Sequence, residues 1–448
     1  MTSRRTTLRH SDRLRMGAGR KTAFMTTFHD LGVPEGLTAV LARRGITAPF
    51  PIQAATVAEG MAGRDLCGRA PTGSGKTLAF CIPLAARARK GRPGRPSTLV
   101  LVPTRELASQ VARELRPLAE AQDRTVATFY GGTNLSRDQR TLRRGVDIAV
   151  ACPGRLADLV QRRDADLRDV RMVVVDEADR MADMGFLPEV RRLLDMTAAD
   201  RQTLLFSATL DGDVDVLIRR YQRDPARHEL ATPAQTRGDV RHFFWHAQSN
   251  QRVAMARDVV TAVAPAIVFT RTKHAADRVA KQLSRLGVQA APIHGNRSQS
   301  QRERALADFA KGSVTALVAT DVAARGIHVD NVGVVLHFDP PATGKDYVHR
   351  SGRTGRAGAS GVVVTFVAPD KVGDVHTLQR TLDMRQRVQA MALEQLTGPH
   401  NGRRNGTKSR TGHRKHAEGA SARHGDTPRG QGSPAQRSTR HEPLARRR

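Results

Sequence analysis

The chain has 448 residues, a formal net charge of +30 and three cysteines. This length exceeds one ordinary domain and fits two or three. Apolar runs such as Met172–Val175 are far shorter than the roughly 18 residues of a membrane span, and no apolar segment of a secretory signal follows the basic residues near the start. Cys67, Cys81 and Cys152 lack metal-ligand spacing, so we expect neither a disulfide framework nor structural zinc, and we expect a cytoplasmic protein.

The positive charge is concentrated at the two ends of the chain. Residues 1–27 have a net charge of +6 and residues 398–448 have +10. Both segments are rich in Ser, Thr, Gly, Arg and His and have almost no aliphatic periodicity, so we predict that they are disordered. Such basic tails favour a polyanionic partner, most simply nucleic acid. A tail that only keeps the protein in solution is the alternative.

Between these tails, short apolar runs of β type alternate with helical stretches, and this pattern occurs twice. The earlier runs are Leu99–Val102, Ile148–Ala151, Met172–Val175 and Thr203–Phe206. The later runs are Ala266–Phe269, Ala316–Ala319, Val332–Leu336 and Val362–Phe366. Uninterrupted apolar strands between helices are typical of parallel sheets covered on both faces. We therefore predict an α/β protein with two doubly wound domains, residues 28–230 and 240–397, joined by a linker at 231–239.

The segment Ala70–Thr77 (APTGSGKT) has the pattern of a phosphate-binding loop. Its glycines let backbone N–H groups turn toward phosphate oxygens, Lys76 reaches the β and γ phosphates, and the Thr77 hydroxyl binds Mg²⁺. The triplet GKT also arises by chance, so the loop needs a partner motif. The loop residues predicted to hold the nucleotide are Thr72, Gly73, Ser74, Gly75, Lys76 and Thr77.

The partner motif is Val173–Asp179 (VVVDEAD), an apolar strand that ends in carboxylates. Asp176 has the position of an acid that holds Mg²⁺, partly through water. Glu177 is then placed to orient or deprotonate the attacking water. An acidic turn after a core strand explains this motif considered alone. The two motifs in this order predict hydrolysis of a nucleoside triphosphate.

Further motifs follow one another along the chain. They are GITAPFPIQ (Gly45–Gln53), PTREL (Pro103–Leu107), CPGR (Cys152–Arg155), FTRTK (Phe269–Lys273), ATDVAARGI (Ala319–Ile327) and YVHRSGRTGR (Tyr347–Arg356). With the two motifs above, they make the chain resemble the DEAD-box ATP-dependent RNA helicases over about residues 28–370. The resemblance implies two tandem RecA-like domains, ATP and Mg²⁺ as cofactors, and RNA-stimulated ATP hydrolysis coupled to local unwinding of short RNA duplexes.

For the ATP site, the resemblance implies that Phe28 stacks on adenine and that Gln53 reads its polar edge. Without the resemblance, Phe28 is better explained as a packing residue before a helix. Phe50 replaces the usual Thr of its motif. Arg353 and Arg356 would be the arginine fingers that stabilise charge on the transferred phosphoryl group.

For RNA, the resemblance implies contacts through loop backbones and short polar side chains. Cys152 replaces a Thr of the family, and His328 replaces an Asp expected at the ATP ribose. The chain has one tryptophan and three tyrosines, so we expect contacts to phosphate and 2′-OH with weak sequence specificity. The residues implied are Pro103, Thr104, Arg105, Gly131, Gly132, Pro153, Gly154, Arg155, Arg271, Thr272, Gly295, Gln299, Arg302 and Thr320.

The resemblance also implies coupling between the ATP and RNA sites. Ser207 and Thr209 would approach Asp179, and His349 and Arg350 would bind across to the acidic motif of the first domain. Because the loop and base lie in one domain and the arginine fingers in the other, hydrolysis should require closure of the cleft.

Two other functions stay open at this point. One is a DNA helicase on the same fold, and the other is a non-catalytic RNA chaperone that uses its basic tails alone. We expect a monomer that contacts RNA, with ribonucleoprotein or ribosome-assembly proteins as possible partners and no membrane partner.

Overall fold

The computed structural model describes residues 26–70, 74–210, 212–230, 239–324, 329, 332–355 and 359–397. Both predicted tails, apart from residues 26 and 27, lie outside these ranges, as do linker residues 231–238. The predicted site residues Thr72, Gly73 and Arg356, and the His328 replacement, also lie outside them. The domain boundaries at 28–230 and 240–397 stay a prediction.

The first lobe, residues 26–230, alternates helices and strands. Its elements are α1 Glu35–Arg43, α2 Pro51–Ala62, β1 Leu66–Arg69, α3 Lys76–Arg87, β2 Thr98–Leu101, α4 Arg105–Glu120, β3 Val126–Phe129, α5 Leu135–Arg144, β4 Ile148–Ala151, α6 Pro153–Gln161, β5 Met172–Asp176, α7 Ala178–Asp183, α8 Leu187–Asp195, β6 Gln202–Ser207, α9 Asp213–Tyr221 and β7 Ala226–Glu229.

The second lobe, residues 239–397, repeats this alternation. Its elements are β8 Val240–His246, α10 Arg252–Ala262, β9 Ala266–Phe269, α11 Lys273–Arg285, β10 Ala290–Ile293, α12 Gln299–Ala310, β11 Ala316–Ala319, α13 Asp321–Ala324, β12 Val334–His337, α14 Gly344–Ser351, β13 Gly361–Val367, α15 Val372–Thr381, β14 Val388–Gln389 and α16 Glu394–Thr397.

Each lobe is built on a parallel sheet of seven described strands. The first sheet has the order β3-β4-β2-β5-β6-β1-β7, and the second has β10-β11-β9-β12-β13-β8-β14. If the strands of each lobe are numbered from one, the two orders are identical. This topology confirms the prediction of two doubly wound parallel sheets. In such sheets, ligands bind at the carboxyl ends of the strands.

The central strands are buried because helices cover both faces of each sheet. All five residues of β5 and all seven of β13 are buried. Each sheet separates two hydrophobic clusters, one on either face. All eight predicted apolar runs are strands, with ends that differ by up to two residues. No helix within the described ranges is long and apolar enough to cross a bilayer.

Candidate functional site

The predicted motifs lie together because each follows the carboxyl end of a strand. In the first lobe, the phosphate loop follows β1, Pro103 to Arg105 follow β2, and the acidic motif ends β5. In the second lobe, Arg271 and Thr272 follow β9 and Thr320 follows β11. Parallel strands place all their carboxyl ends at one edge, so each lobe presents its motifs at one edge of its sheet.

The phosphate loop leads directly into α3. Gly75 has φ +90°, a left-handed conformation that glycine adopts readily, and it is the residue before the helix. Lys76 is 9% exposed, and its Nζ donates a hydrogen bond to the Ala70 carbonyl at 2.6 Å. Ser74 and Thr77 are partly buried beside it. The N-terminal N–H groups of α3 and the Lys76 ammonium are therefore placed to bind phosphate.

Gln53 ties the preceding motif to this loop. Its side chain is 1% exposed; Nε2 donates to the Gly75 carbonyl at 3.0 Å and Oε1 accepts from the Phe50 backbone N–H at 2.9 Å. The Phe50 ring lies against Gly75, since a Cβ atom placed on Gly75 would be 2.6 Å from a ring carbon. Gln53 thus positions both the loop and Phe50; its contact with adenine stays a prediction.

The two aromatic residues near this site differ in exposure. Phe50 is 58% exposed, whereas Phe28 is 3% exposed and packs in the core cluster that includes Leu37 and Leu41. Phe28 therefore has the surroundings of a packing residue. Its stacking on adenine stays a prediction, and the exposed ring beside the loop is that of Phe50.

The acidic motif places two carboxylates at the end of β5. Asp176 is 3% exposed and Glu177 is 8% exposed, and the Glu177 N–H donates to Asp176 Oδ1 at 2.9 Å. Burial, and then repulsion from Glu177, raise the pKa of Asp176, while Lys76 opposes this shift. The Arg180 guanidinium donates to the Glu177 carboxylate, and Glu177 has a left-handed φ of +52°. A bound cation would relieve the cost of burying these charges.

The donors at this edge are hard oxygens of the kind that Mg²⁺ prefers. The Asp176 carboxylate ends β5, and the Thr77 hydroxyl lies in the first turn of α3. Within the described ranges, no group of three or more His, Cys, Asp or Glu residues could hold a metal ion. Mg²⁺ would therefore fit only with waters and nucleotide phosphates as its other ligands.

Ser207 joins the acidic motif to the phosphate loop. It is fully buried at the end of β6, where its Oγ accepts from the Asp179 N–H at 3.2 Å and its carbonyl accepts from the Ala70 N–H at 3.3 Å. Thr209, two residues on, is exposed. Ser207 thus contacts both motifs, and the coupling role of Ser207, Thr209 and Asp179 stays a prediction.

The two lobes enclose a cleft of about 170 Å³ beside the phosphate loop. The second lobe brings Arg353, which is 6% exposed, to the same cleft as the first-lobe residues. The two lobes therefore place a lysine, two carboxylates and two arginines around one space. The lining residues are Lys76, Glu177, Asp179, Arg180, Ala208, Val348, His349, Gly352 and Arg353.

Arg350 is held by neighbours of its own lobe in this structure. Its guanidinium forms a bidentate pair with Asp321, at 2.5 and 2.7 Å, and donates to the Asp339 carbonyl at 2.7 Å. All three contacts lie within the second lobe. The planar fork of arginine matches the two oxygens of the Asp321 carboxylate, which explains the bidentate geometry. His349 lines the cleft beside the acidic motif, and the binding of His349 and Arg350 across to that motif stays a prediction.

The predicted RNA-contacting arginines of the first lobe are held by neighbours. Arg105 lies against Gly132, which has φ +84° and where a Cβ atom would be 2.3 Å from Nη1. Arg155 pairs with Asp138 at 2.6 Å and donates to the Thr133 carbonyl at 3.2 Å. These contacts fix the two guanidinium groups in place. Their contacts with RNA stay predictions.

The other predicted RNA-contacting residues lie in loops and helix starts at the same edges. Thr104 and Thr272 occupy equivalent places in the two lobes, where their Oγ1 atoms cap α4 and α11. The Arg271 N–H donates to Asp339 Oδ2 at 2.9 Å. The remaining predicted RNA-contacting residues also lie in these loops and helix starts, and their RNA contacts stay predictions: Pro103, Gly131, Pro153, Gly154, Gly295 and Thr320.

A buried ion pair joins the two lobes at this face. Arg302 in α12 contacts Glu106 in α4 at 2.8 Å, and both side chains are 5% exposed. Burial raises the pKa of Glu106 and lowers the pKa of Arg302. Ser109 donates to Glu303 at 3.1 Å, and Gln299 donates to Glu303 at 3.0 Å. Arg302 and Gln299 were predicted to contact RNA; here they contact protein, and their RNA contacts stay predictions.

Sequence reasoning did not single out Glu106 or Glu303. Glu106 lies within the PTREL motif, and it is buried in the first turn of α4. A charged residue among buried positions of an amphipathic helix was the available signal. It indicates a partner, but only the fold shows that the partner is Arg302.

Two family models match the chain: DEAD/DEAH box helicase at residues 50–217 and helicase conserved C-terminal domain at residues 251–358. The chain is 38% identical to DEAD-box ATP-dependent RNA helicase CshA of Geobacillus kaustophilus over 359 residues, which is 80% of this chain and 77% of that protein. It is 38% identical to DEAD-box ATP-dependent RNA helicase 30 of Arabidopsis thaliana over 380 residues, 83% of this chain and 64% of that longer protein. S. cerevisiae Dbp5, solved bound to RNA and ADP BeF3, has the same fold with a TM-score of 0.69, 24% identity, and coverage of 81% of this chain and 95% of that one.

Proposed function

The chain belongs to the DEAD-box family of ATP-dependent RNA helicases, which are ATP hydrolases, and we propose that it couples RNA-stimulated ATP hydrolysis to local separation of short RNA duplexes. The observation that carries this proposal is the cleft in which Lys76 and Glu177 of the first lobe meet Arg353 of the second. Neither lobe has the full set of charged groups, so the reaction depends on both.

Each group has a distinct role in the proposed reaction. Lys76 and the N-terminus of α3 bind the phosphates, and Glu177 orients the attacking water and accepts its proton. Arg353, with Arg356, stabilises the charge that develops on the transferred phosphoryl group. Asp176 and Thr77 would hold Mg²⁺, which neutralises phosphate charge when bound.

RNA acts on this chemistry through closure. The predicted RNA-contacting loops are divided between the two lobes, so a strand that contacts both lobes favours the closed arrangement. ATP favours the same arrangement because it contacts groups from both lobes. By linkage, each ligand then tightens the binding of the other.

We propose further that the protein acts in the cytoplasm as a monomer, binds RNA with weak sequence specificity, and assists ribonucleoprotein or ribosome assembly. Cys67, Cys81 and Cys152 are free thiols, as suits a reducing compartment. The relatives named RNA helicases support RNA as the ligand.

Steady-state ATPase and duplex separation test the proposed function. Lys76→Ala and Glu177→Gln each remove one charge at the phosphates or water, so we expect RNA-stimulated hydrolysis to fall by about 100-fold or more. Lys281→Ala, on the exposed face of α11, is the matched control and should keep full activity. Greater stimulation by DNA than by RNA of the same sequence would favour a DNA helicase. Unchanged strand separation in both site variants would favour a chaperone.

A further inference from the structure

A cavity of about 730 Å³ lies outside the cleft. Its walls include Asp65, Ser97, Arg171 and Arg201, which immediately precede β1, β2, β5 and β6. The cavity therefore lies at the amino ends of the first sheet, the edge opposite the phosphate loop. No motif of the sequence analysis falls within it.

The cavity is basic. Its walls contain three aspartates, Asp65, Asp200 and Asp224, which leave a net formal charge of +3. Its six arginines are Arg64, Arg87, Arg89, Arg171, Arg201 and Arg223.

Several of these guanidinium groups donate hydrogen bonds to neutral backbone carbonyls, whereas Arg171 pairs with Asp200. Arg87 donates to the Met61 carbonyl at 2.9 Å, Arg201 to Ala198 at 3.1 Å, and Arg223 to Ala199 at 2.8 Å. Within the described ranges, the Nε atom of Arg201 is buried with no hydrogen-bond partner. Burial lowers the pKa of Arg201, which shows that its charge is costly there. An anion in the cavity would offset this cost.

Two further arginines are available to a ligand. The Arg64 guanidinium is 3.7 Å from Glu59 and 3.8 Å from Asp224, too far for hydrogen bonds. Arg89 is exposed and has no side-chain hydrogen bond or ion pair to any residue that the structure describes. Their donors can therefore turn to an incoming anion without breaking a close contact.

We propose that this cavity binds the phosphate backbone of an RNA strand at a second site, behind the first lobe. The proposal rests on the proposed function, since RNA is the polyanion on which the protein acts. Arginine forks match phosphate oxygens in a bidentate geometry, and several of them around one cavity suit consecutive phosphates. This site holds RNA whether or not the cleft is closed, so its contribution does not depend on ATP.

The test measures binding of single-stranded RNA to the full chain without nucleotide, by fluorescence anisotropy at several salt concentrations. The double variant Arg64→Gln/Arg89→Gln removes two charges from the cavity, and Arg113→Gln/Arg116→Gln removes two exposed charges from α4 as the control. For single-stranded RNA, each lost phosphate contact reduces the magnitude of the slope of log K against log salt concentration by about 0.7. We therefore expect this slope to be about 1.4 smaller in the cavity variant than in the wild type, and the control to change much less.

Three outcomes overturn the proposal. One is an unchanged slope in the cavity variant, and another is an equal loss in both variants. The third concerns tripolyphosphate as a probe. If tripolyphosphate binds the wild type but not the cavity variant, and RNA binds the wild type and both variants equally, the cavity binds a small anion and not RNA. Failure of the proposed function would be seen in a different measurement, because the wild-type ATPase would then show no stimulation by RNA. The cavity variant should keep the wild-type rate at saturating RNA.

Discussion

Two phenylalanines in the segment before the phosphate loop differ sharply in exposure. Phe28, whose stacking on adenine stays a prediction, is 3% exposed in the first-lobe core. Phe50, which stands where the family has Thr, is 58% exposed and lies against Gly75. An exposed aromatic ring beside the phosphate loop offers apolar surface to a bound nucleotide.

Replacement of Phe50 by Ala should weaken nucleotide binding without loss of stability. We expect a higher KM for ATP with little change in kcat, because the ring contacts no group in the reaction. Phe28→Ala is the matched comparison, and loss of this buried ring should cost about 3–5 kcal/mol of unfolding free energy. ATPase kinetics and urea unfolding measure the two effects. An unchanged KM in the Phe50 variant would show that its ring does not touch the nucleotide.

The sequence allows the phosphate loop and acidic motif to be predicted because their chemistry is local. Gly75, Lys76 and Thr77 are adjacent, and backbone geometry alone brings them together at the start of α3. The partner of Arg350 could not be predicted in the same way. Asp321 lies 29 positions earlier, and only the packing of α13 and α14 places its carboxylate against the guanidinium.

At the level of elements, strands in the middle of each sheet could be predicted and those at the edges could not. The eight predicted runs are all interior strands, which helices and neighbouring strands bury on every side. The edge strands β3, β7, β10 and β14 carry polar or special residues, such as Pro292 in β10. An edge strand tolerates proline because one side of its backbone needs no partner. The interior strands β1 and β8 were missed because they are interrupted by Gly, Arg or His.

The Arg302–Glu106 ion pair contributes to the contact between α4 and α12. Loss of this ion pair should weaken closure of the two lobes more than it lowers the stability of the fold. Glu106→Gln leaves Arg302 without its countercharge in the closed state, whereas water can solvate Arg302 when the lobes separate. We expect about a tenfold or greater rise in the RNA concentration for half-maximal ATPase, from a loss of at least about 1.4 kcal/mol.

The matched variant is Glu114→Gln, which removes a more exposed carboxylate from the same helix and should change that concentration little. Thermal unfolding of the free protein provides the second readout. A large fall in Tm with an unchanged RNA requirement would mean that the ion pair serves stability alone.

At the level of the whole molecule, charge and catalysis occupy different parts of the chain. Residues 398–448 carry a net charge of +10, while the cleft groups lie within the two lobes. Exposed basic residues strengthen RNA binding in proportion to the phosphates that they contact, and salt weakens this effect. We therefore expect the C-terminal segment to set affinity and the cleft to set ATP dependence.

Deletion of residues 398–448 should raise the RNA concentration for half-stimulation and flatten its salt dependence, with the maximal ATPase rate nearly kept. A full-length chain with the basic residues of this segment changed to Gln should behave like the deletion, since only charge is lost. The measurement is RNA-stimulated ATPase at several salt concentrations. A collapse of the maximal rate would place the segment in the catalytic machinery.

The central claim is that ATP and RNA close the same cleft. The most direct measurement is the affinity of the full chain for single-stranded RNA with a non-hydrolysable ATP analogue and with no nucleotide, together with the affinity for the analogue with and without RNA. We predict that each ligand tightens the other by the same factor, about 5–150-fold, and that Arg353→Ala removes most of this coupling. Equal RNA affinity with and without the analogue would contradict the account.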